Sequence, residues 1–470
     1  MAIQFKQTRL AAAVATAAVG LGLSAASHAV VVVGGDNGWE VSFDGNINAF
    51  YVQGNYDAGY NGLGLAAPNS ATPGVANSGG NSTFAGNSLD ASRITSGFLP
   101  AFFSFNVKSP TVNGMTGSAR FSFAPQITNA NTKNQIYGAA GGLNNGNSQG
   151  IQGSSIDTRE VLVNLDGAFG TVSFGRTLSI FGRNAILKDM TLFGVGIANG
   201  QSGAVTAGRI GRGYTYPNFN ARFSYKTPNF NGLQAEIGLY DPSIEQLNSA
   251  AGVLDETDTP RFEGELSYTT AFSGGSAQFW VDGLWQDIEG RGAAGLASSA
   301  DVSVQAWGVG AEAKMAGFAL TGYYYDGSGL GRSLQFVGGT ACNGAAVVDA
   351  NGVTFGAGSR CEATDNDGYY LQGTYTFNGK TKVGVSYGES TEDAFSDSII
   401  RQANSANEMQ MRDVELSMWT VGVYHDVNSW LKLIAEYSHS RNDFGQNQFT
   451  LANGQDTEAD TFSVGSFFFW

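Results

Sequence analysis

Apolar and polar residues alternate along this chain with a period of two. Trp39, Val41, Phe43, Ile47, Ala49 and Tyr51 share one parity, and Glu40, Ser42, Asp44, Asn46 and Asn48 share the other. Successive side chains of a strand point to opposite faces, so the pattern predicts strands. It recurs where Leu233, Ala235, Ile237 and Leu239 oppose Gln234 and Glu236. It recurs again where Phe262, Leu266 and Tyr268 oppose Arg261, Glu263, Glu265 and Ser267. Sixteen such segments are legible, from Trp39–Gln53 to Thr461–Trp470. Tight connections such as Gly167–Gly170, Ser273–Gly275, Ala316–Gly317 and Asn378–Gly379 alternate with eight long ones. The long ones lie near 54–92, 127–156, 178–220, 241–260, 288–302, 327–366, 388–412 and 442–460. These are rich in Gly, Asn, Ser and Asp, as solvated loops are.

An even strand count, with short turns at one end and long loops at the other, predicts an all-β fold: a transmembrane 16-stranded antiparallel β-barrel with short periplasmic turns and long extracellular loops. Closure is a physical requirement, because an open sheet edge in lipid leaves each backbone polar group unsatisfied at several kcal/mol. About sixteen strands leave room for water inside, whereas about eight are filled by their own side chains. A soluble sandwich would turn the apolar faces inward. Two places resist the alternation. Pro100 falls inside the second segment, Arg93–Lys108, which predicts a bulge or a later start. In the fourth, Asp157–Asp166, Arg159 shares parity with Val161 and Val163, which predicts packing against a subunit or an inserted loop, or a bulge.

Composition narrows the class. Lys6 and Arg9 precede an apolar run from Leu10 to Leu23, and Ser27-His28-Ala29 is a small-x-small site, so residues 1–29 read as a signal peptide and 30–470 as the exported barrel domain. Losing Lys6 and Arg9 takes the formal net charge from -15 to about -17, which argues against nucleic acid as a partner. No later stretch offers the roughly 18 consecutive apolar residues of a spanning helix. Aromatics make up 12% of the chain and charged residues only 14%, which suits a wall facing lipid. Cys342 and Cys361 share one long connection and are candidates for a loop disulfide in an oxidising compartment. No histidine or third cysteine accompanies them, so no metal site is expected. After the leader only His425 and His439 remain, neither in a nucleophile motif; no enzyme activity and no cofactor are expected.

Three local segments carry a family resemblance. They are Asp166-Gly167-Ala168-Phe169-Gly170-Thr171-Val172-Ser173-Phe174-Gly175-Arg176, Tyr225-Lys226-Thr227-Pro228-Asn229-Phe230-Asn231-Gly232, and the aromatic end Phe467–Trp470. In this order the chain resembles the trimeric general porins of the Gram-negative outer membrane, of the non-enteric proteobacterial type. The resemblance implies a homotrimer in outer-membrane lipid, passing ions and small hydrophilic solutes by passive diffusion. It also implies that the terminal aromatic strand is read by the outer-membrane assembly machinery. A substrate-selective channel of the same architecture is the alternative reading, and a barrel enzyme a distant one.

The resemblance further implies that the connection after Arg176 folds into the barrel and narrows it, with 178–208 as the constricting loop. From Leu178 to Gly208 its charges are Arg183, Lys188 and Asp189, which sum to +1. Arg120, Arg222 and Lys226 occupy expected lumen positions, and Arg209 and Arg212 lie between. Together these eight residues are the candidates for the pore lining, and they favour weak anion preference. Arg176 is read instead as a residue of a subunit interface. Tyr323–Tyr325, Tyr369, Tyr370 and Phe467–Trp470 are expected in the interfacial girdles, with a sugar-guiding track as the alternative for the tyrosines.

Overall fold

The computed structural model describes residues 30–34, 37–57, 60, 62–63, 89–125, 127, 156–198, 206–242, 253–291, 301–342, 347–348, 354–355, 361–394, 413–445 and 455–470. Residues 1–29, expected from the sequence to be a leader, lie outside them. Sixteen strands form the wall: β1 (Glu40–Tyr56), β2 (Leu89–Thr95 continued by Phe102–Lys108), β3 (Thr116–Pro125), β4 (Ile156–Gly167), β5 (Gly170–Leu178), β6 (Phe219–Lys226), β7 (Leu233–Tyr240) and β8 (Arg261–Phe272), then β9 (Gly275–Arg291), β10 (Val302–Met315), β11 (Phe318–Ser328), β12 (Asp365–Phe377), β13 (Thr381–Glu392), β14 (Val414–Asp426), β15 (Leu431–Phe444) and β16 (Gln455–Phe469).

Each strand pairs antiparallel with the next, and β1 pairs with β16 from Asn46↔Phe469 to Tyr56↔Ala459, which closes the barrel. A short strand, Val30–Gly34, pairs with β1 below that seam, from Val30↔Phe43 to Gly34↔Glu40. Trp470 completes the closure: it exchanges two backbone hydrogen bonds with Gly45, both 3.2 Å, and a Cβ on Gly45 would sit 2.5 Å from its ring. No helix among the described residues is long and apolar enough to cross a membrane.

The alternation sorts the faces as the pattern requires. Ile47, Tyr51, Phe223, Ile237, Leu266, Phe279, Leu320, Leu371 and Val385 are exposed on the outside, where lipid would cover them. The strands run farther on the extracellular side than the sequence places them: β15 ends at Phe444 and β16 begins at Gln455, so that connection is shorter than 442–460.

Both irregular places have structural causes. Between β3 and β4 the register slips at Ser122 and Phe123, whose partners are Glu160 and Thr158. Arg159 is the extra residue of that bulge, so Arg159 and Glu160 are both buried on the lumen side. In β2 the ladder to β1 stops at Thr95↔Phe50 and resumes at Phe102↔Asn46. Within this break Phe98 and Leu99 are buried and Pro100, which has no N–H to offer a ladder, costs no pairing. Asn48 spans the gap: its Nδ2 donates to Leu99 O at 2.9 Å and its Oδ1 accepts from Gly97 N at 2.7 Å.

Candidate pore constriction

Beyond Leu178 the chain turns into the barrel and does not rejoin the wall until Phe219. Gly182, at φ 75, makes the left-handed bend that opens a short helix, α1 (Arg183–Lys188). Asp189 then starts a 3-10 turn, Met190–Phe193, by accepting from Thr191 N at 3.0 Å.

A loop inside a barrel must find partners for its backbone N–H groups. Wall side chains supply them. Glu263 accepts from Ile180 N and Phe181 N (2.7 and 2.9 Å), and Asp282 accepts from Gly182 N (3.0 Å). Gln372 accepts from Met190 N (2.6 Å), and Glu436 from Val195 N and Gly196 N (2.6 and 3.1 Å). Hydrogen bonds to charged acceptors contribute about 1.5–3 kcal/mol each, so this set fixes the loop's path. The break in β2 joins the set, because Phe98 N donates to Gly194 O (2.8 Å) and Leu99 N to Leu192 O (3.1 Å). Apolar contact completes the seat: Phe181, Ile186, Met190, Leu192, Val195 and Ile197 share one buried cluster with Phe50, Trp280, Tyr323, Tyr370, Tyr424 and Phe467.

The eight candidate residues divide in two. Arg120, Arg183, Lys188 and Lys226 keep part of their surface in the lumen. Arg120 bridges Asp44 (2.9 Å) and Glu160 (2.7 Å) and donates to Asn106 and Ser104. Arg183 reaches from α1 to Glu236 (2.8 Å) and Glu265 (3.4 Å). Burial pulls its pKa down, and the two carboxylates more than reverse this, so it ends raised. Lys188 pairs with Glu312 (3.1 Å) and lies over the Trp280 ring; burial lowers its pKa despite that glutamate. Lys226 faces Glu236 across the ladder.

The other four, expected in the pore lining, are buried between loop and wall. Asp189 accepts from Thr191 Oγ1 (2.6 Å) and the Tyr214 hydroxyl (2.7 Å), so it shapes the loop. Arg209 donates to Met418 O (3.0 Å) and to Ser386 Oγ. Arg212 donates to Gly62 O (2.7 Å) and Asn442 Oδ1 (2.5 Å). Arg222 binds Leu178 O, the Tyr240 hydroxyl and Glu236 at 3.1, 2.9 and 3.2 Å. The three arginines are clamps that tie the inserted loop to the wall and its neighbouring connection, placed where a desolvated guanidinium can meet several acceptors.

Sequence reasoning missed the partners of these clamps. Glu236, Glu263, Glu265, Asp282 and Glu436 are lumen-facing acids whose work is to hold the loop, and their signal was an acid on the polar parity of neighbouring strands. It also missed Lys314, exposed in the lumen and bound to Glu312 (2.8 Å), and Lys432, bound to Asp426 (2.5 Å). The aromatic expectation splits by parity. Tyr324, Tyr369 and Phe468 face outward, but Tyr323, Tyr325, Tyr370 and Phe467 are buried inside, against the loop. Trp280, Tyr323 and Tyr325 stack in sequence without water access, so they pack the seat and offer no track to a solute. Cys342 and Cys361 are register partners in a two-stranded ladder, and Cys361 is disulfide-bonded. Among the described residues no cluster of metal-ligating side chains occurs.

A closed sixteen-stranded wall narrowed by an inserted loop defines a channel. The family model described as Gram-negative porin matches residues 10–445, and the chain belongs to that family. It is an integral outer-membrane protein forming a water-filled channel for passive diffusion. In fold it is similar to the outer membrane channel DcaP of Acinetobacter baumannii, at 13% identity over 93% of this chain and 99% of that one, with a TM-score of 0.57. It is also similar to an anion-selective porin from Comamonas acidovorans, at 14% identity over 92% and 100% of the two chains and a TM-score of 0.50. OmpT of Vibrio cholerae, 13% identical over 93% and 99%, gives a TM-score of 0.50. At these identities the likeness concerns the fold alone. No curated protein matches this chain by sequence.

Proposed function

We propose that this porin is a general diffusion channel with weak anion preference, acting as a homotrimer and catalysing no reaction. The observation that carries the ion preference is the placement of Arg183 and Lys188 on α1, in the narrowed lumen, with Arg120, Lys226 and Lys314 on the lumen face of the wall. The part-exposed acids in ion pairs with these five cations are Asp44, Glu265 and Glu312. The formal charge of -15 over the whole chain pulls the other way. Distance decides the contest. Exposed charges beyond roughly 8 Å are screened at physiological salt. Two charges 4 Å apart interact by about 1 kcal/mol in water but about 4 kcal/mol at the effective dielectric of a protein surface. The narrowest part of the path therefore outweighs the acidic loops.

The reversal potential across a potassium chloride gradient tests this. The intact protein is expected to favour chloride, and Arg183→Ala combined with Lys188→Ala to shift the potential toward potassium. Strong cation preference in the intact protein would overturn the proposal. The bridge between Cys342 and Cys361 stiffens the extracellular connection that carries it. Recognition of the terminal strand by assembly machinery remains part of the same reading, carried by the aromatic run Phe467–Trp470.

A further inference from the structure

On the extracellular side of the constricting loop lies a second intrusion, in a stretch the sequence assigns to an external connection. Residues Gly329–Gly339, which leave the end of β11, form a loop whose ends touch. Gly329 N donates to Thr364 O and Thr364 N donates to Gly339 O, both 2.9 Å, and a Cβ on Gly339 would lie 2.5 Å from Gly329 O. Compact loops with adjoining ends pack as units of their own.

This one packs into the mouth of the barrel. Leu330, Ser333, Leu334 and Gln335 are buried. Arg332 forms an ion pair with Glu392 of β13 at 2.6 Å, and Asn366 of β12 donates to Gly331 O at 3.0 Å. At the far side the Arg261 guanidinium of β8 lies between the rings of Tyr240 and Phe336, 4.6 and 5.1 Å from their centres. Phe336 is held at φ 66, a left-handed backbone that a bulky residue adopts only where its surroundings enforce it. Below, Tyr216 N of the constricting loop donates to Ser333 O (2.8 Å), and Ser333 Oγ donates to Leu63 O of the first long connection (2.6 Å). Three long connections thus meet inside the wall, and Gly329–Gly339 is the piece common to them.

We infer that Gly329–Gly339 is a size-selecting lid of this channel, stacked on the constricting loop and setting with it the largest hydrophilic solute that passes. The inference rests on the reading of the barrel as an open diffusion channel. A wall of sixteen strands is wide, and one inserted loop leaves the mouth above it free. The second loop takes up that space, with Leu330, Leu334 and Phe336 buried in it.

Excision tests it. Removing Leu330–Gly338 joins Gly329 to Gly339, whose backbones already adjoin, and leaves both cysteines in place. A second variant, Arg332→Met with Glu392→Met, releases the lid without stranding a buried charge. Both are compared with the intact protein by single-channel conductance, by liposome swelling with sugars of graded size, and by heat-modifiable gel mobility to establish that the barrel is closed. The shortened chain is expected to conduct about two-fold more and to admit larger sugars, because pore diameter sets both. The paired variant is expected to fall between. A folded variant of either kind with the conductance and size cutoff of the intact chain overturns the lid. An intact chain that passes nothing while the shortened one conducts supports the lid and overturns the open-channel reading. Equal silence of both folded chains overturns both.

Discussion

Arg209 is fully buried, yet its guanidinium meets the carbonyl of Met418, the hydroxyl of Ser386 and, at 3.8 Å, the carboxylate of Asp189. These contacts tie β13 and β14 to the descending arm of the inserted loop, so the residue serves position, not charge selection. Arg209→Met is expected to cost on the order of 3–5 kcal/mol, the range for losing one member of a buried charged set. Urea titration of the barrel in detergent measures it, and open-channel current noise should rise as the loop loosens. Residues of this kind were legible as cations in the right segment. Their roles were not, because Arg212 and Asn442, or Glu436 and Val195, are joined only by the closed barrel and stand far apart in the chain.

At the scale of elements, the wall was legible because a two-residue period is local. Each hairpin declares its own faces, and the tight turns at Gly167–Gly170, Ala316–Gly317 and Asn378–Gly379 fix their registers. The exceptions were legible as exceptions. Pro100 marks the break in β2, and the adjacent charges Arg159 and Glu160, which no regular strand could turn to one face, mark the bulge in β4. What the sequence could not supply was the occupant of the break. Asn48→Ala tests how that element is held. It removes both side-chain bonds to Gly97 and Leu99, leaving buried backbone groups unpaired at about 1–3 kcal/mol each. The expected result is a lower unfolding temperature, read by loss of heat-modifiable mobility, together with a change in conductance, since the same break seats the constricting loop.

The whole molecule was half legible. Strand count, closure and the two kinds of connection follow from the alternation, but a freely wet lumen does not. The inner face of β1, β9, β11, β14 and β16 carries Phe50, Trp280, Tyr323, Tyr424 and Phe467 into the apolar seat of the loop. Residue type alone reads such aromatics as girdle, because it cannot know that a later segment will cover them on the inner face. The outer surface poses the complementary question. Arg176 pairs across the ladder with Val161 and Ala221, both exposed outside, so it shares their outward face. A lipid-facing arginine costs about 2–4 kcal/mol near the bilayer midplane, a penalty that contact with a second subunit relieves. Light scattering in detergent is expected to give the mass of three chains, and Arg176→Glu to shift it toward one. A single-chain mass for the intact protein would remove the trimer and leave Arg176 unexplained.

The gap in β2 is filled by the backbone of the inserted loop, and so the wall and its obstruction are one continuous hydrogen-bonded fabric. A gate that swung aside would tear the second strand, so the aperture is a rigid property of the fold and not a door. For anyone transplanting pore selectivity between such barrels, the portable cassette is therefore two pieces: the segment from Leu178 to Phe219, and the socket from Ser96 to Ala101 that it is cast into.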